Sequence, residues 1–446
     1  MRIVVDHFGK RNISFRSLLL RDVLGPIDSQ VPVGWRVLRR APQKQAFHGE
    51  FIILESVVAL DSRSTITLAF MIKNLSPIRV SGSDVGPAEL AAIGSVFERG
   101  YLGMGIDVQQ FEELLREFFG RPAVCVATGT AALHLAVQCC GAGPGDEVLV
   151  PSLTYVAAFQ AISATGATPV AVDVLDDSLT MDPADAERKV TSHTKAVMPV
   201  YYGGGIRGLA AIRAMAKARG LRVIEDAAHA FGTELGGARV GSDGDISCFS
   251  FDPIKNLTSG EGGCIVSDDQ EFIERVRDAR LLGVKGDSMA RNAERRLYEF
   301  EVEDQGWRYH MSNMNAAIGK AQFAAFPERA ALRQELAQTY NDAFRSVPDI
   351  QVLPYEYDDV VPHIYVVRFP SAEIRDDVKA RLLSDINVES ALHWYPNHYL
   401  ARYLDESGTL GVTEDAFDRM LTLPLHTKLS VDQVRTIAQH VAAIVG

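Results

Sequence analysis

Lys255 lies in the run CFSFDPIKNLTSGEGG, residues 248–263, where a short apolar strand gives way to a glycine-rich loop. A lysine after a buried strand is costly unless its amine has a chemical task or an anionic partner. One task that suits it is a Schiff base with the aldehyde of pyridoxal 5'-phosphate (PLP). That chemistry makes four demands. The aldehyde needs an amine, the phosphate needs backbone donors, the pyridine nitrogen needs an acid, and the ring face needs a lid.

Each demand has a candidate. Thr128-Gly129-Thr130-Ala131 opens a run of strong helix formers, so free N–H groups and the helix dipole favour a dianion there. Gly129 lets the backbone approach closely. An ordinary strand-to-helix turn with a Thr N-cap reads the same way. Ser250, five residues before Lys255, offers a hydroxyl to the same phosphate. Asp226 closes the strand LRVIED, 29 residues upstream of Lys255. A carboxylate there keeps a pyridine nitrogen protonated and makes the ring an electron sink. His229 is placed to hydrogen-bond the ring hydroxyl, and Tyr155 to stack on the ring face. Taken singly, each is equally a turn cap, a core histidine or a core tyrosine.

These residues need a frame that brings strand ends together. From about residue 86 short apolar runs alternate with helical ones. PAELAAIGSVFERG and VQQFEELLREFFG are helices that stop at glycine. AVCV, DEVLVP, TPVAVDV, TKAVMPV, LRVIED, DISCFSF and GCIVSD read as strands, most of them separated by helices. Such alternation predicts a mostly parallel sheet covered on both faces, with ligands outside the carboxyl ends of its strands. Beyond about residue 320 come a long helical stretch, the strand HIYVVRFP and two further helices. The expected architecture is α/β, a large α/β/α domain over 75–325 with a smaller C-terminal α+β domain over 326–446.

The chain has 446 residues, 47% of them hydrophobic, which is ample for one large and one smaller core. Its 45 Lys+Arg against 57 Asp+Glu make it acidic, which argues against nucleic acid or an anionic membrane as its partner. Five cysteines without C-x-x-C spacing read as reduced core thiols, and no metal site is expected. No apolar run approaches the roughly 18 residues of a membrane span, and a cytoplasmic location is expected. Residues 1–74 differ from the rest: they lack a sustained period and carry scattered basic clusters such as Arg36, Arg39 and Arg40. They are expected to be a poorly ordered extension or an over-long gene model, with Met71 as an alternative start.

In order and spacing, these segments resemble the PLP-dependent nucleotide-sugar aminotransferases of the DegT/StrS type, within the aspartate-aminotransferase (fold type I) superfamily. Thr128 to Leu133 is similar to the family's S-G-T-x-A-L phosphate turn, and Pro151 to Tyr155 to its P-S-x-T-aromatic motif. Glu225 to Ala230 matches E-D-A-A-(Q/H)-A, and Phe249 to Asn256 matches F-S-F-x-x-x-K-N. His393-Trp394-Tyr395-Pro396 is similar to H-Y-x-P, and Leu421 to His426 contains L-P-L-H. The resemblance implies PLP on Lys255, with cofactor contacts from Gly129, Thr130, Tyr155, Asp226, His229 and Ser250, and substrate contacts from His393 and Tyr395. It implies transfer of an amino group from an amino acid, most often glutamate, to a nucleotide-linked keto-deoxy sugar. It also implies a homodimer with shared active sites. A same-fold enzyme aminating a cyclitol ketone and a non-catalytic PLP-binding regulator are the alternatives. The dehydrating branch replaces the lysine by histidine, so Lys255 argues against it. Two segments depart from the pattern. Arg308 stands where the family's G-Y-N-Y-R has an Asn that reaches the partner subunit's phosphate, and VYYGGG replaces H-x-x-G.

Overall fold

The computed structural model describes residues 76–286, 299–404 and 409–446. The expectation for residues 1–74 lies outside them. Residues 75–446 form one compact unit.

The chain enters through helices α1 (Pro87–Arg99) and α2 (Ile106–Phe119). Pro87 occupies the first turn of α1, where its missing N–H costs nothing, and the Glu89 carboxylate accepts from the Gly86 N–H at 2.7 Å. Gly100 and Gly120 end the two helices in the left-handed region, at φ 71° and 69°, the conformation glycine adopts without penalty. There follow β1 (Ala123–Val126), α3 (Gly129–Cys139), β2 (Glu147–Pro151), α4 (Ala157–Ala164), β3 (Thr168–Val172), α5 (Pro183–Lys189), β4 (Thr194–Val197), α6 (Leu209–Arg219) and β5 (Arg222–Asp226). A short hairpin of β6 (Glu234–Leu235) and β7 (Ala238–Arg239) precedes β8 (Ile246–Ser250), β9 (Gly263–Val266) and α7 (Gln270–Ala279).

Seven strands form one sheet in the order β1-β9-β8-β5-β4-β2-β3. Only β9 runs against its neighbours; β8, β5, β4, β2 and β3 pair in parallel. Two reversals around β9 leave β1 pointing the same way as β8. The carboxyl ends of β1, β2, β5 and β8 therefore share one edge, where the sequence pattern expects a ligand. Alternate residues feed opposite faces: Val124 and Val126 pack in one cluster, and Cys125 in another.

Helix α8 (Asn313–Phe344) is one continuous helix through residues 325 and 326, where the sequence pattern places its domain boundary. Beyond it, β10 (Gln351–Val352), β11 (Tyr365–Arg368) and β12 (Met420–Leu423) make an antiparallel sheet. Helices α9 (Ala372–Ile386), α10 (Gly411–Arg419) and α11 (Val431–Val445) belong to the same region. Tyr340 and Tyr365 stack at 4.5 Å in its core. The β6–β7 hairpin is not signalled by periodicity, because runs of two residues are too short to carry one, and β12 (MLTL) goes unmarked as a strand in the sequence. Among the described residues no helix is long and apolar enough to cross a membrane. All five cysteines are free, and four of them are buried.

Candidate active site

Helix α3 begins where β1 ends. The Thr128 hydroxyl accepts from the Ala131 N–H at 3.0 Å, which satisfies one first-turn amide. Gly129 and Thr130 hold the first two helical positions, whose N–H groups have no partner within a helix. A Cβ on Gly129 would stand 2.7 Å from Ser250 Cβ and 2.9 Å from its Oγ. Only glycine lets this helix start approach Ser250, and the result is a cradle of two amides and a buried hydroxyl. This pattern suits a phosphate dianion. The Thr130 side chain itself is exposed.

Asp226 ends β5 and is buried. Its carboxylate accepts one hydrogen bond from within the described residues, from the Ala228 N–H at 3.1 Å. Burial pushes its pKa up, while that bond and Lys255 pull it down. Such a carboxylate is short of partners and suits a protonated ring nitrogen.

Lys255 follows β8 and is half-buried. Its Nζ lies 3.4 Å from His363 Nε2. Burial lowers its pKa to about 8, against the pull of Asp226 and Asp252, and the Arg333 charge lowers it further. An amine so placed is free enough to act as nucleophile and base near neutrality.

Three imidazoles surround it. The His229 and His363 rings are 4.4 Å apart, and both are buried. Burial, reinforced by Lys255, holds both pKa values well below the ordinary range. His393 is lowered to about 4 by the same two causes. All three are neutral at physiological pH and so do not add positive charge around the amine. His229 Nδ1 accepts from the Gly203 N–H at 3.4 Å, and His393 Nδ1 lies 2.9 Å from Thr422 Oγ1. The Tyr202 hydroxyl donates to the His393 carbonyl.

The fourth demand, a lid, is approached from two sides. Trp394 lies 4.9 Å from the His229 ring and 6.0 Å from Tyr155. Tyr155 is 57% exposed, so its ring is open to a ligand. The 3-10 turn Asn397–Tyr399 is docked onto the loop before Tyr155. Asn397 Nδ2 donates to the carbonyls of Ser152 (3.0 Å) and Thr154 (2.8 Å), and Ser152 Oγ lies 2.6 Å from His398 Nδ1.

The structure thus groups Gly129 with Ser250, and Asp226, His229 and His393 around Lys255. It does not bring in two others. Tyr395 is 53% exposed and packs edge-on against Tyr399 and Phe417. Arg308 is exposed in the segment beside β1, where the Ala127 N–H donates to the Tyr309 carbonyl at 2.6 Å, and its guanidinium has no partner among the described residues. Two neighbours of Lys255 go unmarked in the sequence, His363 and Arg333. His363 had one faint signal, its position at the head of the strand HIYVVRFP. Arg333 lies in the middle of a long helix and had none.

The described residues offer no cluster of three metal-ligating side chains. They do fit PLP: an amine with a lowered pKa, a cradle that a Cβ would fill, and a buried carboxylate short of partners.

Comparison with known proteins agrees. A model of the DegT/DnrJ/EryC1/StrS aminotransferase family matches residues 84–442. The spore coat polysaccharide biosynthesis protein SpsC of Bacillus subtilis (strain 168) is 35% identical over 371 residues, covering 81% of this chain and 95% of SpsC. The aminotransferase TlmJ from Streptoalloteichus hindustanus superposes with a TM-score of 0.76 at 34% identity, over 82% of this chain and 98% of TlmJ. Spr1654 from Streptococcus pneumoniae, solved in PLP and PMP forms, gives 0.76 for each at 27% identity; the PLP form covers 82% of this chain and 98% of its own. The chain therefore belongs to the DegT/DnrJ/EryC1/StrS aminotransferase family and is a PLP-dependent transaminase.

Proposed function

We propose that this transaminase moves an amino group from an amino acid, glutamate by the family's habit, to a keto-deoxy sugar carried on a nucleoside diphosphate. The observation that carries the reading is Lys255, an amine lowered to about 8 that feels the charge of the buried Asp226 carboxylate. The sugar rests on a relative: SpsC is named for polysaccharide biosynthesis.

PLP, when bound, supplies an electron sink for the carbanion at the donor's Cα. Gly129, Thr130 and Ser250 would hold its phosphate, Asp226 would hold a proton on its ring nitrogen, and His229 would meet its ring oxygen. Lys255 Nζ, once released by the donor amine, takes the donor's Cα proton. Neutral imidazoles around Nζ leave its basicity to burial and to Asp226, Asp252 and Arg333.

A cytoplasmic homodimer with shared sites is part of the proposal. It is supported by Leu90 and Phe97, which are 72% and 61% exposed on α1, and by the exposed Arg308, whose guanidinium has no partner among the described residues. Arg308 is proposed to reach the partner's phosphate.

The test loads the protein with pyridoxamine phosphate and offers a panel of nucleotide-linked keto-sugars and free cyclitol ketones. Return of the PLP spectrum with a nucleotide sugar is expected. Return only with a cyclitol ketone would overturn the acceptor. A PLP spectrum that no amino donor bleaches would overturn the transfer itself.

A further inference from the structure

Lys255 and Asn256 also line a small cavity of about 10 Å³, whose wall includes Asp84, Arg329, Arg333 and Thr427. A space of roughly 10–15 Å³ is the least that holds one water, and the water needs two to four polar partners. Three of the lining residues carry a buried polar atom with no hydrogen-bond partner: Asn256 Oδ1, Arg329 Nη1 and Arg333 Nε. Asn256 and Arg333 are only 6% and 4% exposed.

The roles of these atoms are set by their neighbours. Asn256 Nδ2 donates to the Val361 carbonyl at 3.0 Å, so the amide is oriented with its oxygen free to accept. Arg329 Nε faces Asp84 Oδ2 at 3.3 Å and its Nη2 lies 3.6 Å from Glu89 Oε1, which leaves Nη1 as a donor. Arg333 Nη1 is directed at the carbonyls of Pro362, His363 and Leu425, at 3.3, 3.3 and 3.4 Å, which leaves Nε–H. Two orphan donors and one orphan acceptor are the complement of a molecule that accepts twice and donates twice. An anion would leave Asn256 Oδ1 without a donor.

We propose that this cavity holds one resident water that accepts from Arg329 Nη1 and Arg333 Nε and donates to Asn256 Oδ1. It ties two residues one turn apart on α8 to the residue that follows the Schiff-base lysine. The site does not depend on the acceptor, the donor or the presence of PLP.

Crystals of the PLP-loaded protein, soaked in sodium bromide and measured at the bromine edge at high resolution, test it. The expected result is a solvent peak within hydrogen-bond distance of all three atoms and no anomalous signal there. A bromide peak would assign the cavity to an anion, and absent density would leave the three atoms unsatisfied; either outcome overturns the water. The Arg333→Met crystal is expected to lose the peak, and a peak that persists unmoved would remove Nε as a ligand. Should that variant fail to fold, the bromide experiment on the natural chain decides alone.

Discussion

Glu225 and Asp226 are adjacent on β5 and both are buried, yet their surroundings are opposite in kind. Successive residues of a strand face opposite sides of the sheet. Glu225 turns to a saturated network: Arg213 at 2.6 and 2.8 Å, the Tyr201 hydroxyl at 3.0 Å and the Ser247 hydroxyl at 3.3 Å. Asp226 turns to the site and accepts one backbone N–H. Burial raises the pKa of both, but Glu225 is offset by a guanidinium and Asp226 only by a backbone amide and an amine that is itself partly neutral. A carboxylate that holds the fold is given every partner it can use. A carboxylate that awaits a ligand is left short.

The sharpest break of that comparison is on the ligand side. Lys255→Ala removes the amine proposed both to form the Schiff base and to move the Cα proton. It is expected to abolish the visible PLP spectrum and lower transamination by about 10³-fold or more. Unchanged absorbance and turnover would remove Lys255 from the chemistry.

Exchanging the two carboxylates for amides should then separate folding from function. Asp226→Asn removes a buried charge with few partners, so the PLP-free protein should gain about 1 kcal/mol while turnover falls roughly 10²-fold. Glu225→Gln takes from Arg213 its buried anion, leaving only the exposed Asp243, and takes from Tyr201 a charged acceptor; it should cost about 3 kcal/mol, with turnover per folded molecule nearly unchanged. The difference in sign comes from the partners each carboxylate leaves behind, whereas linkage gives both positions the same pH dependence. A carboxyl whose folded pKa is raised loses stability as pH climbs through the window between its unfolded and folded values, and an amide at that position does not. Urea melts of the two variants at pH 4.5 and 7.5 check this, and equal behaviour would erase the distinction between the two faces.

A smaller effect separates the lysine from its own surroundings. With its pKa lowered from 10.5 to about 8, Lys255 binds a proton in the unfolded chain but not in the folded one between those values. Its burial therefore costs stability in full below about pH 8, and that cost fades as pH rises toward 10.5. The rate at which PLP-free protein takes up PLP should climb with pH and level off above about 8. Arg333→Met should move the midpoint upward, because the guanidinium disfavours a second positive charge. A midpoint near 10.5 in the natural chain would show an amine that burial does not perturb.

The pattern of what could be read without the structure follows from the same physics. Strands β2, β5 and β8 and the glycine stops at Gly100 and Gly120 are decided by neighbours in sequence, and they lie where periodicity expects them. Lys255, Asp226 and His229 stood out because each occurs in a contiguous stretch with a distinctive residue order. His363 is different. Its role comes from a contact 108 residues distant in sequence, which no local pattern encodes. Arg333 is further still from legibility, since a cation within a helix ordinarily faces solvent. Tyr395 and Trp394 show the limit of motif reading. They are consecutive, yet Trp394 turns toward His229 and Tyr395 toward Phe417.

The smallest predicted effect falls at the start of α3, where saturated and open groups are again neighbours. The Thr128 hydroxyl satisfies the Ala131 N–H, whereas the Gly129 and Thr130 N–H groups are left for a ligand. Thr128→Ala should cost about 1 kcal/mol of stability and leave PLP affinity within about threefold, because the cap serves the helix alone. Gly129→Ala should do the reverse. The helix gains a better former there, but the added Cβ would stand 2.7 Å from Ser250 Cβ, so the cradle must open and PLP affinity should fall about tenfold or more. If Thr128→Ala weakened PLP as much as Gly129→Ala did, the hydroxyl would belong to the phosphate site, and the division between groups that hold the fold and groups kept open for a ligand would fail at this turn.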